Sequence, residues 1–236
     1  MKRILGLAVG LLIFCTSSHA FRQEALNVRS EKMNKDVPVT VITPDVYGEK
    51  EAYPVIYLLH GYSDDYTGWA KEGVVGRLSD QYGIIFVMPD GGYDSWYFDS
   101  EITPEYQYET FVSSELVSYV DSHYKTIADR KGRAIAGLSM GGHGALFLGI
   151  RHQDVYGSMG SMSGGVDIRP FPTRWNIAKR LGSIEEYPQN CSLHEKLLDA
   201  KIPHEFYTRP GKHNWKYWLN AIKYQVLYFN DCFSRE

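Results

Sequence analysis

The sequence predicts an α/β fold, in which a doubly wound, mostly parallel sheet carries helices on both faces. Short apolar runs that stop at Gly, Pro or Asp alternate along the chain with amphipathic segments at helical spacing. When a parallel sheet is covered on both faces, its strands appear in the sequence as near-continuous apolar runs, because neither face of the sheet meets water. The alternation of these two patterns is therefore typical of this fold class.

Several segments have the pattern of strands. Val37–Thr43 alternates as a half-buried strand does and stops at Pro44, whereas Val55–Leu59 and Ile84–Met88 are continuous apolar runs of the central-strand type. Three more strands are predicted at Arg133–Gly137, Gly157–Ser163 and His204–Arg209.

Amphipathic segments between these strands predict the helices. The clearest is Tyr108–Tyr124, which places Phe111, Leu116 and Val120 at helical spacing. Helices are also predicted at Val74–Tyr82, from Met140 onward, at Ser192–Ala200 and at Trp215–Phe229. No internal repeat or linker interrupts residues 21–236, which are therefore predicted to form a single domain.

Residues 1–20 have the pattern of a cleaved export signal. Lys2 and Arg3 precede the apolar run Ile4–Cys15, and Ser18 and Ala20 are the small residues that a signal peptidase reads. The run is short for a membrane span, although a membrane anchor stays the alternative. We therefore expect a secreted or periplasmic protein without membrane attachment once residues 1–20 are removed.

The amino-acid composition limits the classes of molecule that the protein is expected to bind. The net charge of −3 does not indicate a basic surface of the kind that binds nucleic acid or an anionic membrane. The 18 tyrosines belong either to ordinary core and surface or to a cleft that stacks on sugar or aryl groups. Cys191 and Cys232 follow the export signal, but two cysteines specify no disulfide scaffold, so their pairing stays open.

The strongest local motif is Gly137-Leu138-Ser139-Met140-Gly141, between a predicted strand and a predicted helix. It matches the nucleophile-elbow pattern G-x-S-x-G, in which a strained turn lifts the serine hydroxyl above the sheet. Small residues on both sides of Ser139 let the strand and the helix approach closely enough to make that turn. The alternative is a Gly-rich packing turn, but the strand–turn–helix context favours Ser139 as a nucleophile.

A serine hydroxyl needs a base, and chain order points to His213. It lies in Arg209-Pro210-Gly211-Lys212-His213-Asn214-Trp215, after the last predicted strand and before the closing helix, where this type of fold places the base. His143 follows Ser139 by four residues and is expected to face away from its hydroxyl. His213 as an ordinary loop histidine is the alternative.

Acyl transfer also needs hydrogen-bond donors for the oxyanion. The backbone N–H of Met140 is the first candidate, and the N–H of Tyr62, in the loop after Val55–Leu59, is the second. Gly61 supplies the backbone freedom for that loop. His60 is interpreted as a support for the loop rather than as a second base.

Four motifs together resemble the "Putative esterase" family of tributyrin, acetylxylan and feruloyl esterases and S-formylglutathione hydrolases. They are Leu58-Leu59-His60-Gly61-Tyr62, Met88-Pro89-Asp90-Gly91-Gly92, Gly137-Leu138-Ser139-Met140-Gly141-Gly142-His143-Gly144-Ala145 and Gly211-Lys212-His213-Asn214-Trp215. The resemblance covers nearly the whole chain after residue 20. It implies an α/β-hydrolase that cleaves carboxylic esters, small or linked to polysaccharide, without a cofactor or metal.

The resemblance also implies roles for particular residues. Ser139 and His213 would be catalytic, and the N–H groups of Tyr62 and Met140 would form the oxyanion hole. Trp69 and Trp96 stand in loops that lie near the cleft in relatives, which makes them candidate substrate contacts.

The sequence departs from the family where the catalytic Asp is expected. Between Ser163 and His204 no apolar strand ends in a carboxylate, so about one βα unit is missing. The best substitute is Asp167, whose alternative role is a turn residue before Ile168-Arg169-Pro170.

Three function classes follow. A secreted esterase acting on acetyl or hydroxycinnamoyl esters of plant polysaccharide is favoured by the export signal and the aromatic loops. A short-chain acyl or thioester hydrolase of the S-formylglutathione hydrolase type fits the motifs. The export signal argues against this class, because its thioester substrate is a cytoplasmic metabolite. A catalytically impaired relative fits the missing acid.

Overall fold

The computed structural model describes residues 20–165, 174–181 and 193–235, and its centre is a six-stranded sheet. The strands follow the order β1-β2-β4-β3-β5-β6 across the sheet. Their bounds are β1 Arg22–Ser30, β2 Lys35–Thr43, β3 Val55–Leu59, β4 Ile85–Pro89, β5 Arg133–Leu138 and β6 Ser158–Met162.

The sheet is mostly parallel with an antiparallel edge. β4, β3, β5 and β6 run parallel to one another, while β2 pairs antiparallel with both β1 and β4. Every residue of β3, β4 and β5 is buried, as expected for strands covered on both faces. The predicted fold class is confirmed.

Helices cover both faces, close to the predicted positions. They are α1 Val74–Tyr82, α2 Tyr108–Thr110, α3 Leu116–His123, α4 Met140–Arg151, α5 Ile177–Leu181, α6 Leu193–Asp199 and α7 Trp215–Phe233. A π-helical turn, Phe111–Glu115, joins α2 to α3, so the predicted helix at Tyr108–Tyr124 is continuous in three pieces. Within the described ranges, no helix has both the length and the apolarity that a membrane span requires.

The core consists of two layers, one on each side of the sheet. We call them the α4 layer and the α7 layer, after the helix that each contains. The α4 layer includes Trp96, Met140 and Ile177, whereas the α7 layer includes Trp69 and Trp218. Alternate residues of β3 divide between the two layers because successive side chains of a strand point to opposite faces.

The prediction of a strand at His204–Arg209 is wrong. These residues form no strand, and β6 has no partner on its outer side among the described residues. Phe206 and Tyr207 are more than half exposed, and the Arg209 guanidinium lies 3.4 Å from the ring centroid of Tyr224 on α7. Aromatic residues such as Phe206 and Tyr207 are equally compatible with a segment that lies beside a helix without joining a sheet, which is the arrangement found here.

Sequence reasoning also missed β1. Only Val28 and Ser30 of this edge strand are fully buried, so its apolar alternation is weak. It forms because a tight turn, with Asn34 at φ 51°, folds it back onto β2 along its whole length. The acid-bearing strand is predicted to be missing between Ser163 and His204, and residues 166–173 and 182–192 of this stretch lie outside the described residues.

Candidate active site

Ser139 occupies a strained turn between β5 and α4. Its φ of 52° and ψ of −117° lie outside the regions that residues with a side chain normally adopt. Such a conformation costs on the order of 1–3 kcal/mol and persists only where the surroundings impose it. The Ser139 N–H donates to the Met162 carbonyl at 3.0 Å, which fixes the turn against the end of β6.

Two glycines allow the close approach that this turn requires. A Cβ on Gly141 would lie 2.4 Å from the Leu59 carbonyl oxygen, and one on Gly137 would lie 2.3 Å from the carbonyl oxygen of Gly141. Both contacts are with backbone, which cannot shift without moving β3 or α4. The spacing of the elbow motif is therefore a packing requirement of β3, β5 and α4.

His213 reaches the side chain of Ser139. Its Nε2 lies 2.9 Å from the Ser139 Oγ, a hydrogen-bonding distance. The loop that carries it ends at Asn214, whose side chain caps α7 by accepting from the N–H of Tyr217. The imidazole packs edge-to-face on the buried Trp218, with ring centroids 4.9 Å apart and an interplanar angle of 86°.

The imidazole of His213 is exposed, and no carboxylate of the described residues contacts it. Asp167, the candidate acid, belongs to residues 166–173, which lie outside the described part of the chain. Its role as the third member of the triad therefore stays a prediction.

The candidate oxyanion donors flank the nucleophile. Met140 is the first residue of α4, where N–H groups have no partner within the helix and the helix dipole favours negative charge. On the other side, a Cβ built on Gly61 would lie 3.4 Å from the Ser139 Cβ, so the loop that carries Tyr62 passes directly beside Ser139. This loop is tied down because the Ser63 N–H donates to the Tyr93 carbonyl at 2.8 Å.

His60 is part of that support. It is 1% exposed, its Nε2 accepts from the Gly91 N–H at 2.7 Å, and its Nδ1 donates to the Gly61 carbonyl at 2.8 Å. Both nitrogens are thus used to join the loop after β3 to the loop after β4. The contacts agree with the interpretation of His60 as a loop support.

His143 faces away from Ser139, into an aromatic cage. Its ring contacts Trp96, Phe98 and Phe147, and its Nδ1 donates to the Gly165 carbonyl at 2.8 Å. Its Nε2 is shielded from solvent and has no hydrogen-bond partner in the described part of the chain. Burial lowers the pKa of His143 to about 4, so the ring is neutral at pH 7.

The two candidate substrate tryptophans are both buried. Trp69 is 1% exposed, donates its indole N–H to the Leu59 carbonyl at 3.0 Å and packs edge-to-face on Trp215. Trp96 is 4% exposed and donates its indole N–H to the Trp175 carbonyl at 3.1 Å. Trp175, which none of the sequence motifs singles out, is 44% exposed.

Comparison with known proteins identifies the family of this chain and supports the fold described above. The family model described as "Putative esterase" matches residues 30–180. An esterase of Mycobacterium tuberculosis is 36% identical over 135 residues, which are 56% of this chain and 30% of that protein. The endo-1,4-beta-xylanase/feruloyl esterase of Xylanibacter ruminicola is 35% identical over 129 residues, which are 51% of this chain and 18% of that protein. The chain thus spans less than a third of the length of these curated relatives.

Solved structures match over most of the chain. A ferulic acid esterase superposes with a TM-score of 0.78 and 26% identity, covering 92% of this chain and 100% of that one. A fluorophosphonate-binding serine hydrolase of Staphylococcus aureus gives the same TM-score at 20% identity, covering 89% and 99%. The fold is that of the α/β-hydrolases.

Proposed function

Because the chain belongs to the "Putative esterase" family, we propose that it hydrolyses carboxylic esters, with Ser139 as nucleophile and His213 as base. The observation that carries the proposal is the 2.9 Å contact between the His213 Nε2 and the Ser139 Oγ at a strained strand-to-helix turn. An ordinary loop histidine has no reason to meet a serine hydroxyl at such a turn.

The mechanism follows from this geometry. The Nε2 of His213 takes the Oγ proton while the Ser139 oxygen attacks the ester carbonyl, and the N–H groups of Met140 and Tyr62 donate to the developing oxyanion. The imidazolium then gives its proton to the departing alcohol, leaving an acyl group on Ser139. Water, activated by the same imidazole, releases the acid and restores the serine.

We propose acetyl or hydroxycinnamoyl esters of plant polysaccharide as substrates. Three similar proteins support this choice: the ferulic acid esterase and the xylanase/feruloyl esterase described above, and an acetyl esterase of Caldicellulosiruptor saccharolyticus that is 31% identical over 135 residues. Export through residues 1–20 belongs to the same proposal, because polymeric substrates lie outside the cell.

A fluorophosphonate probe tests the nucleophile directly. The probe phosphonylates an activated serine, so we expect it to label the wild-type protein and not Ser139→Ala. Equal labelling of both proteins would remove Ser139 as the nucleophile. Ser161→Ala, which changes another serine close to α4, is the matched control and should be labelled like wild type.

A second candidate is a weak or impaired esterase. It is favoured by the exposure of His213 and by the absence of a carboxylate partner for its imidazole among the described residues. A triad without its acid loses about 10⁴ in turnover yet keeps residual catalysis. If Asp167 replaces the acid, Asp167→Asn should cost a further large factor.

Steady-state rates on three substrates separate the candidates. Methyl ferulate and p-nitrophenyl acetate should be turned over by an esterase of the proposed type. Preference for S-formylglutathione would favour a thioester hydrolase instead. Slow turnover of p-nitrophenyl acetate alone would favour the impaired enzyme.

A further inference from the structure

Phe21, the residue that follows the predicted export signal, packs into a slot on α1. A Cβ built on Gly76 would lie 2.3 Å from the Cε1 of the Phe21 ring, so the ring fills the space that a side chain at residue 76 would need. The same ring packs against the α7 layer. Phe21 therefore belongs to the folded domain, whereas Ala20, one residue earlier, is exposed.

The backbone nitrogen of Phe21 is held by a carboxylate. Its N–H donates to the Asp80 Oδ2 at 3.1 Å, and the Asp45 N–H donates to the Oδ1 of the same carboxylate at 2.9 Å. Asp80 lies in the last turn of α1, so this carboxylate joins α1 to the start of β1 and to the loop after β2. Because both oxygens accept from backbone groups, the carboxylate is fixed opposite the Phe21 nitrogen.

The negative charge of Asp80 lacks a counter-charge in the described part of the chain. No lysine, arginine or histidine side chain of residues 20–165, 174–181 and 193–235 pairs with it, and the nearby Arg22 pairs with Glu24 at 3.5 Å instead. The last turn of a helix also disfavours an anion, because the helix dipole is negative there. A partly buried carboxylate in this position is expected to be matched by a cation.

Removal of residues 1–20 would supply that cation at the Phe21 nitrogen. Hydrolysis of the Ala20–Phe21 peptide bond by a signal peptidase consumes one water molecule and leaves a carboxylate on Ala20 and a protonated α-amine on Phe21. The single amide N–H that faces Asp80 is thereby replaced by an ammonium group with three donors. The contact becomes an ion pair at hydrogen-bonding distance, which adds Coulomb attraction to the existing hydrogen bond.

We propose that Asp80 is a binding site for the α-ammonium group of the processed chain, with the Phe21 ring seated in the slot at Gly76. The inference rests on the export that forms part of the proposed function, and it goes beyond export by giving the new N-terminus a role in the fold. Among the described strands β1 pairs with β2 alone, so its first residues are exposed to fraying. The ion pair fixes this end of the sheet to α1.

Thermal unfolding of four proteins tests the site. Two chains begin at Phe21 and two at Ala20, each released from a fusion by a protease that leaves no extra residue, and one of each pair carries Asp80→Asn. With Asp80 present, the chain that begins at Phe21 should have a Tm about 2–4 °C above that of the chain that begins at Ala20. With Asp80→Asn, which keeps an acceptor oxygen but removes the charge, the difference should vanish.

Asp154→Asn is the matched control, because it removes an exposed carboxylate from the loop between α4 and β6 and changes the net charge equally. It should preserve the Tm difference between the two N-termini. Gly76→Ala places a Cβ where the Phe21 ring lies and should abolish the difference as Asp80→Asn does. Equal Tm values for the two chains that retain Asp80, or a difference that persists in Asp80→Asn, would overturn the inference.

Acylation of the terminal amine gives a readout that a purely structural role of Asp80 would not move. Only an unprotonated amine reacts with an N-hydroxysuccinimide ester of acetic acid, and a carboxylate at hydrogen-bonding distance favours the protonated form. At pH 7 the Phe21 amine should therefore be acetylated about tenfold more slowly than the same amine in Asp80→Asn. Mass spectrometry of the N-terminal peptide measures both rates, and equal rates would show that Asp80 does not hold the ammonium group.

Two further measurements separate this inference from the proposed function. N-terminal sequencing of the exported protein tests export, and a first residue other than Phe21 would overturn export together with the inference. A first residue of Phe21 combined with equal Tm values would overturn the inference alone. Fluorophosphonate labelling of Ser139 should be the same in all four proteins, and its absence from all of them would overturn the esterase proposal without affecting the Tm comparison.

Discussion

At the scale of single residues, three histidines near the nucleophile have different environments because their ring nitrogens have different partners. Both nitrogens of His60 are hydrogen-bonded to backbone, and the Nε2 of His143 is enclosed by aromatic rings. Only His213 directs a nitrogen at Ser139 from an exposed position. Residue type alone therefore says little about role here, and the partners of each nitrogen decide it.

The first prediction concerns His213. We expect His213→Ala to lower kcat on p-nitrophenyl acetate by several orders of magnitude, about 10⁴ or more in a vigorous enzyme, because the serine loses its base. His123→Ala, at an exposed histidine on α3, should behave like wild type. Turnover of His213→Ala within tenfold of wild type would contradict the assignment.

The second prediction concerns pH and His143. Its pKa is near 4 in the folded protein, below the 6.5 of an unfolded histidine, so the unfolded chain binds the proton more tightly. The stability that this group contributes is present above pH 6.5 and is lost as pH falls toward 4. Between pH 7 and 4.5 the loss amounts to about 2 kcal/mol.

His143→Asn isolates that contribution, because its amide can still donate to the Gly165 carbonyl but does not titrate. Urea unfolding at pH 7 and 4.5 should show a smaller fall in the free energy of unfolding for the variant than for wild type. The difference between the two falls should be about 2 kcal/mol. Equal falls would mean that His143 is readily protonated in the folded state.

At the scale of elements, the site depends on how closely α4 approaches β3 and β5. A Cβ built on Gly141 would lie 2.4 Å from the Leu59 carbonyl oxygen and 2.5 Å from that of His60, whereas the nearest atoms to a Cβ built on Gly149, on the same helix, belong to the Met159 side chain. The two glycines therefore differ in what a methyl group would displace. Backbone next to a central strand cannot yield, whereas Met159 lies on the edge strand β6, where the thioether can move aside and the strand can shift to relieve the 2.9 Å contact with the Met159 Cβ.

The third prediction compares these two positions. Gly141→Ala should destabilise the protein by about 2 kcal/mol or more and abolish fluorophosphonate labelling, since the elbow cannot close. Gly149→Ala should stay labelled although it destabilises the protein by about 1 kcal/mol or more, because its Cβ would lie 2.9 Å from the Met159 Cβ and the edge strand β6 must shift. Thermal unfolding and probe labelling measure both effects. Normal labelling of Gly141→Ala would show that the elbow tolerates a Cβ there.

At the scale of the whole molecule, Ser139 lies at the carboxyl end of β5, between the two core layers. The imidazole of His213 packs on Trp218 of the α7 layer, whereas Met140, the residue after Ser139, belongs to the α4 layer. Ligands of open α/β sheets bind at the carboxyl ends of the strands, so both layers can contribute to one cleft.

The fourth prediction concerns the whole chain. If residues 1–20 are an export signal, the exported protein should begin at Phe21. N-terminal sequencing of the protein from the periplasm or culture medium measures this directly. A product that begins at Met1 would favour the membrane-anchor alternative.

The described residues contain Cys232 as a free thiol, while Cys191 lies outside them, so the pairing of the two stays open.

The sequence by itself determined the α/β class, most strands and helices, and the elbow around Ser139. These depend on periodicity and on turn chemistry within a few residues, which a local pattern expresses directly. It also indicated His213, because chain order in a doubly wound sheet limits where a base can come from.

Only the tertiary structure decided the rest. The segment His204–Arg209 lies beside α7 instead of joining the sheet, and Trp96 is buried while its neighbour Trp175, far along the chain, is 44% exposed. The 2.9 Å contact of His213 with Ser139 likewise joins residues from separate loops. Exposure and contact between distant segments depend on how layers pack, and a pattern along the chain carries no measure of that packing.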